Sequence, residues 1–353
     1  MRLIEKVWFN NHSAKWLLVP LLLPLSVLFW LISTLRRVSF NLGLSKSCHL
    51  SKPVIVVGNI GVGGNGKTPV VLYLVELTRL LGLTPGVISR GYGGKAPHYP
   101  YLLDESSTSL EAGDEPILIQ QRCQVPVAVG SDRIASAELL IAQGCDIIIS
   151  DDGLQHYRLA RDIELVIVDG KRLFGNGLLL PAGPLREGQW RLPKSDLVIY
   201  NGIGFNGKGG NVKGSQDFQE KYYPGIQMTL VASELCNLVT GERIKLADFI
   251  KHNSAVNAIA GIGAPQRFFD TLKEHQLKVI NQQSFVDHHA FALADFTDFD
   301  DNIPLLMTEK DAVKCHSFCR ENWWYLPVDA AFSDKDRQLL IDKIQIAIQS
   351  AIQ

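Results

Sequence analysis

An α/β architecture, with a parallel sheet covered by helices on both faces, is the fold class that this 353-residue sequence predicts. Three observations carry it. Short uninterrupted apolar runs alternate with segments of helical periodicity, which is how strands buried on both faces read. The first such run, Pro53-Val54-Ile55-Val56-Val57, leads into Gly61-Val62-Gly63-Gly64-Asn65-Gly66-Lys67-Thr68, which fits G-x-x-x-x-G-K-[ST] at every fixed position. Ahead of both, residues 16–35 are almost wholly apolar. The expectation is a P-loop NTPase-like sheet, a smaller second α/β domain and an N-terminal membrane helix. Their spans are residues 38–205, 206–353 and 1–37, with the boundary between the two α/β units falling within 200–235.

The N-terminal run is interrupted by Pro20, Pro24 and Ser26. Twenty residues at about 1.5 Å each match a hydrocarbon core of about 30 Å. Trp8, Trp16 and Trp30 lie towards its ends, where indole rings favour the interface. A charged start fits a secretory signal, but no small-residue cleavage site follows. Two prolines four apart would be costly in a buried core helix. A membrane anchor, or a kinked and partly inserted helix, fits best. Lys15 before it and Arg36, Arg37 and Lys46 after it leave orientation unsettled by charge, whereas a need for ATP puts the body in the cytoplasm.

After the first strand the glycines let backbone N–H groups curl around phosphate oxygens, and a helix opening at Val70-Val71-Leu72 adds the positive end of its dipole. Residues 61–68 are therefore read as a nucleoside triphosphate site, with Lys67 reaching the β- and γ-phosphates and Thr68 placing its hydroxyl on Mg²⁺. Strands follow at 86–89, 126–129, 146–150, 164–169 and 196–200, with helices at 117–122 and 134–143 between them. From 202 to 214 the composition shifts to glycine, asparagine and lysine without apolar periodicity, which marks a boundary or surface insertion. Beyond it come strands at 255–260, 304–307 and 324–328, a helix at 266–275 and a final amphipathic helix at 334–352.

Composition narrows the function. Lys and Arg total 35 against 36 Asp and Glu, so no global field draws the chain onto nucleic acid. The six cysteines form no close-spaced framework, and Cys315-x-x-x-Cys319 has no second ligand pair for zinc. Reduced thiols in the cytosol are the plain reading.

A second chemical signal is Ile147-Ile148-Ile149-Ser150-Asp151-Asp152-Gly153-Leu154-Gln155-His156. A buried strand ending in Asp is what a P-loop enzyme sets opposite its loop to hold Mg²⁺. Alone, Asp152-Gly153 would read as a turn; beside a complete P-loop, Asp151 and Asp152 become candidate metal and catalytic residues.

Further elements occur together and in order: Ser89-Arg90-Gly91-Tyr92-Gly93, Gly113-Asp114-Glu115-Pro116, Gly183-Pro184-Leu185-Arg186-Glu187, Asp287-His288 and Thr308-Glu309-Lys310-Asp311. With the P-loop, the DDGxQH element and the apolar start, the chain closely resembles the tetraacyldisaccharide 4′-kinase family, the lipid A kinases of Gram-negative bacteria. The resemblance spans nearly the whole chain, though the glycine-rich 202–214 stretch carries no family motif. It implies an ATP- and Mg²⁺-dependent enzyme on the cytoplasmic face of the inner membrane. That enzyme would phosphorylate the 4′-hydroxyl of an acylated disaccharide 1-phosphate to give lipid IVA. It also implies that Asp114 receives the hydroxyl proton and that His288 orients it from the second domain. Ser89, Arg90, Tyr92, Gln155, His156 and Arg186 become candidate substrate contacts.

Two other P-loop classes stay in view. A membrane-associated ATPase switch would carry lysine where Val62 stands. A nucleotide-dependent metal chaperone would show a guanine motif of the N-K-x-D type and a cysteine-rich metal site.

Overall fold

The computed structural model describes residues 3–202 and 223–352. Apart from Gly202, the expected glycine-rich boundary lies outside the described residues. A short helix, α1 (Leu3–Phe9), precedes α2 (Lys15–Asn41), which continues past the predicted apolar run through Arg36-Arg37-Val38-Ser39-Phe40. Its leucines and tryptophans face outward, and Ser26 is its one buried residue. The Ser26 hydroxyl donates to the Leu179 carbonyl at 3.0 Å and accepts from the Ala182 N–H at 2.8 Å. Farther along, Arg37 stacks on Trp190 at 3.8 Å and Phe40 meets Tyr157. The helix is therefore apolar towards its surroundings and docked on the body through a few specific contacts.

Next come β1 (Val54–Gly58), α3 (Lys67–Leu80), β2 (Pro85–Ser89), β3 (Tyr101–Leu102), α4 (Ser109–Ala112), α5 (Asp114–Cys123), β4 (Val127–Val129), α6 (Arg133–Ala142), β5 (Ile147–Asp151), β6 (Ile163–Asp169), β7 (Leu197–Asn201) and β8 (Ile226–Val231). Side chains alternate across the central strands, as the two-residue period requires. Ile55, Val57, Ile147 and Ile149 pack on one face against α3 and α5. Val54, Val56 and Ile148 pack on the other against Ile134, Ala137 and Leu140 of α6. That two-sided burial is why these strands read as continuous apolar runs.

The second unit contains β9 (Glu234–Asn237), β10 (Arg243–Lys245), α7 (Leu246–His252), β11 (Val256–Ala260), α8 (Pro265–Glu274), β12 (Val279–Ser284), β13 (Leu305–Thr308), α9 (Glu309–Cys315) and β14 (Trp323–Leu326). Its six strands run in the order β10-β9-β14-β13-β11-β12. The chain then returns as β15 (Asp329–Ala331) and α10 (Asp334–Ile352). β15 pairs antiparallel with β8 in the first sheet, whose nine strands run β15-β8-β7-β6-β1-β5-β2-β4-β3. Both edge pairs, β3-β4 and β15-β8, are antiparallel, so the expected parallel sheet is mixed.

The division expected at 205/206 also falls differently. Residues 234–326 form the second sheet as an insertion between β8 and β15, and the chain ends back on the first domain. Leu340, Ile344 and Ala347 of α10 join the α3 face of the first core. Helical periodicity shows that such a stripe must be covered, but not by which sheet.

Candidate active site

β1 and β5 are parallel neighbours, with Val57 opposite Asp151, so the glycine-rich loop and the aspartate pair leave the same carboxyl edge side by side. Gly58 sits so close to Leu154 that a Cβ there would lie 2.6 Å from the leucine Cβ. Only glycine permits this approach of the two loops. Gly66 caps α3 at φ +92°, and Lys67 and Thr68 are the first helical residues, so the loop amides and the helix terminus face one space. Asn201 at the end of β7 braces the loop by donating to the Asn65 carbonyl at 3.0 Å.

Lys67 Nζ stands 3.6 Å from Asp152 Oδ1, and Arg186 bonds Asp152 Oδ2 at 3.3 Å. Burial acts to raise the Asp152 carboxyl, but the Lys67 and Arg186 cations hold it below the usual carboxylate range. Asp151 differs. Both of its oxygens are buried without a hydrogen-bond partner. Burial, reinforced by the Glu115 carboxylate, pushes it up to about 7 against the pull of Lys67. An orphaned carboxylate beside a phosphate loop fits a hard divalent cation, and the oxygens of Asp151, Asp152 and Thr68 are donors of the kind Mg²⁺ takes. Among the described residues no group of three His, Cys, Asp or Glu could cage a metal alone. A cation here would share phosphate and water oxygens, as Mg²⁺ does in nucleotide sites.

Arg133, the first residue of α6 and almost fully buried, holds this loop from behind. Its guanidinium donates to the carbonyls of Ile88 at 3.1 Å and Asp151 at 2.9 Å. The sequence reading passed over it. Glu187 was also missed as a hub. It accepts from Gln155 at 2.9 Å and from the Tyr157 hydroxyl at 2.9 Å, and it pairs with Arg191 at 3.3 Å. Gln155 also donates to the Asn59 carbonyl at 3.1 Å, so its amide ties the DDGLQH segment to the P-loop strand. His156 is half-buried with Nε2 unpartnered. Burial, with the Arg133, Arg161 and Arg36 cations, pushes it down to about 4, so it is neutral at pH 7.

The second sheet supplies the opposite wall. Gly263, just beyond β11, abuts both Gly64 of the P-loop and Asp287. Beside it His288, at φ +61°, points Nδ1 at Asp114 Oδ2 from 3.0 Å. Asp114 opens α5 and is mostly buried. The residue after His288, His289, turns away to Asp295. Tyr92 is exposed with its ring 5.5 Å from that of His288, and Arg90 is exposed beside it, whereas Ser89 is buried at the end of β2. Lys67, Asp152 and Arg186 thus meet at the carboxyl edge of β1 and β5, Asp114, His288 and Tyr92 meet where the second unit packs, and Gln155 turns instead to Asn59 and Glu187.

The family model described as LpxK, tetraacyldisaccharide-1-P 4′-kinase, matches residues 18–345. A tetraacyldisaccharide 4′-kinase of Colwellia psychrerythraea is 84% identical over 353 residues, covering 100% of both chains. Its counterpart from Pasteurella multocida is 50% identical over 325 residues, which are 92% of this chain and 93% of that one. Among solved structures, LpxK from Aquifex aeolicus, described as an apo form in complex with ATP, aligns with a TM-score of 0.72 at 29% identity. The alignment covers 93% of this chain and 99% of that one. The match runs from the apolar helix through both sheets and into α10, and the chain belongs to the tetraacyldisaccharide-1-P 4′-kinase family.

Proposed function

We propose that this chain transfers the γ-phosphate of ATP to the 4′-hydroxyl of a tetraacylated glucosamine disaccharide 1-phosphate, giving lipid IVA, at the cytoplasmic face of the bacterial inner membrane. Family membership supports the reaction. The observation that carries the residue roles is the Asp114–His288 pair, in which α5 meets a loop of the second unit that also abuts the P-loop through Gly263.

The amides of residues 61–66 and the Lys67 ammonium grip the phosphates. Thr68, Asp151 and Asp152 would hold Mg²⁺, which when bound neutralises charge developing on the transferring group. Asp114 receives the acceptor proton, and His288 fixes its orientation. Arg186, which bonds Asp152, would follow phosphate oxygens, and the exposed Arg90 and Tyr92 would meet the substrate. Because the transition state is loose, positioning and charge matter more than nucleophile activation.

The exposed α2 suits a substrate that cannot leave the bilayer. At about 0.8 kcal/mol per buried CH₂, extracting four acyl chains would cost far more than seating the enzyme on the surface. ATP supply places the body on the cytoplasmic side.

Incubating the purified protein with γ-labelled ATP and tetraacyldisaccharide 1-phosphate in mixed micelles tests this. The label should appear on the 4′ position of the lipid. ATP hydrolysis with no labelled lipid would favour a nucleotide switch instead.

A further inference from the structure

β6 pairs with β1 on the side opposite β5, so the turn after β6 rises against the flank of the P-loop away from Asp151 and Asp152. That turn is held from both units. Asp169 Oδ1 accepts from the Lys171 and Arg172 N–H groups at 3.0 and 3.1 Å, and its Oδ2 accepts from Arg267 of α8 at 2.6 Å. The Gly170 N–H donates to the Asn201 carbonyl at 2.8 Å. Arg172 therefore projects from a fixed base. A Cβ on Gly63 of the P-loop would stand 3.6 Å from Arg172 Nη1. Among the described residues its guanidinium makes no hydrogen bond or ion pair; it lies over the Phe9 ring of α1, 5.3 Å from the ring centre. Phe9 and Arg172 line one small cavity with Gly61, Val62 and Asn65 of the loop. Trp8 pins this end of α1 to the body, donating its indole N–H to the Pro181 carbonyl at 3.2 Å.

We propose that Arg172 is a phosphate-contacting residue of the nucleotide site, seated by Phe9, and that it takes the triphosphate from the side of the P-loop opposite Asp152. The inference rests on the P-loop reading. A guanidinium is charged at any working pH and offers its N–H donors in a planar fork that fits phosphate oxygens two at a time. Arg172 brings that fork, half-buried, to a loop built for anions, and the carboxylate of its own turn does not claim it. Asp169 is already spent on Arg267 and on two backbone amides.

The Phe9 contact fits the same task. An aromatic face attracts a guanidinium through its ring electrons and leaves the N–H edge free. Phe9 thus steadies Arg172 beside Gly63 without occupying its donors. An arginine supplied by the same chain is a recurring part of phosphoryl-transfer sites. The arrangement also gives α1 a purpose: the helix ahead of the apolar α2 bears directly on the nucleotide side of the enzyme.

Steady-state transfer by the full-length protein in mixed micelles tests this with both substrates varied. Arg172→Ala should lower kcat/KM for ATP about 10–100-fold, the worth of a hydrogen bond to a charged group, and leave the KM for tetraacyldisaccharide 1-phosphate near wild type. Arg172→Lys keeps the charge but not the fork and should recover part of the loss. By calorimetry, Arg172→Ala should weaken ADP binding about 10-fold and AMP binding less than about 2-fold. Phe9→Leu removes the ring and should lower the same kcat/KM about 2–5-fold, whereas Phe9→Tyr keeps the ring and should match wild type. Added to Arg172→Ala, Phe9→Leu should cost nothing further; additive losses refute the seating by Phe9. A folded Arg172→Ala enzyme with the wild-type kcat/KM for ATP overturns the proposal. Equal losses for ADP and AMP overturn it too, as does a raised lipid KM, which would move Arg172 to the 1-phosphate of the acceptor. Lys67→Ala, run in parallel, separates the causes: unaffected turnover there removes the P-loop reading itself.

Discussion

Lys67 Nζ rests 3.6 Å from Asp152 Oδ1, so the P-loop lysine and a carboxylate at the end of β5 hold each other. Arg186 closes on the other oxygen of the same carboxylate. Two cations therefore flank Asp152 and keep it ionised. Asp151, the residue before it, accepts no hydrogen bond, and the pull of Lys67 and Arg133 offsets its burial only in part.

Lys67→Ala should abolish phosphate transfer while leaving the thermal unfolding midpoint near wild type. The lysine faces the cleft, and Asp152 retains Arg186 when it is gone. Near-normal kinase activity in the purified variant would end the P-loop assignment.

Asp151→Asn should separate stability from function. A buried carboxylate without a partner costs free energy, and the amide removes the charge. The folded value of about 7 lies above the roughly 3.9 of an unfolded chain. Between those values the folded state binds more protons, so wild-type stability falls as pH rises through the window. The metal-free Asn variant should thus melt higher than wild type, with the gap small at pH 5 and widest above pH 7. Its turnover should collapse, or demand far more Mg²⁺. A melting gap that does not grow with pH contradicts the assigned environment.

Docking and anchoring of α2 are separable. Ser26→Val removes two hydrogen bonds, one of which is to the buried Ala182 N–H, at a cost of about 1–3 kcal/mol, yet makes the helix more apolar. It should keep the protein on membranes but lower its melting point. Deleting residues 1 to 37 should instead release much of the protein and slow turnover on bilayer lipid more than basal ATP hydrolysis. Sedimentation with vesicles reads both, and full membrane binding by the truncated chain would assign α2 another purpose.

The parts of this molecule that the sequence made legible are those governed by local rules. Residues 54–58 and 147–151 read as strands because both faces are buried, and the P-loop because glycine and helix-start chemistry sit at fixed spacing. What escaped depends on partners distant in the chain. β12 has mostly exposed polar side chains and no apolar alternation, and β15 is three residues long, so only pairing with β11 and β8 makes them strands. Arg133 and Glu187 looked like ordinary charges because their ligands are carbonyls and side chains set by the tertiary fold. The contact of Asp114 with His288, 174 positions away, came from family resemblance and not from spacing.

That contact yields the last test. If Asp114 is the base, Asp114→Ala should lower kcat by about 10²–10⁴-fold with modest change in apparent ATP affinity, because the residue lies on the acceptor side. His288→Ala should also lower kcat, since His288 Nδ1 lies 3.0 Å from the Asp114 carboxylate and the two would act together. Groups that act as a unit give non-additive losses. The double variant Asp114→Ala/His288→Ala should therefore be little worse than the worse single one when transfer to the lipid is measured. Multiplicative losses would mean that the two residues act independently. An unaffected kcat in Asp114→Ala would return Gly113-Asp114-Glu115-Pro116 to an ordinary helix start.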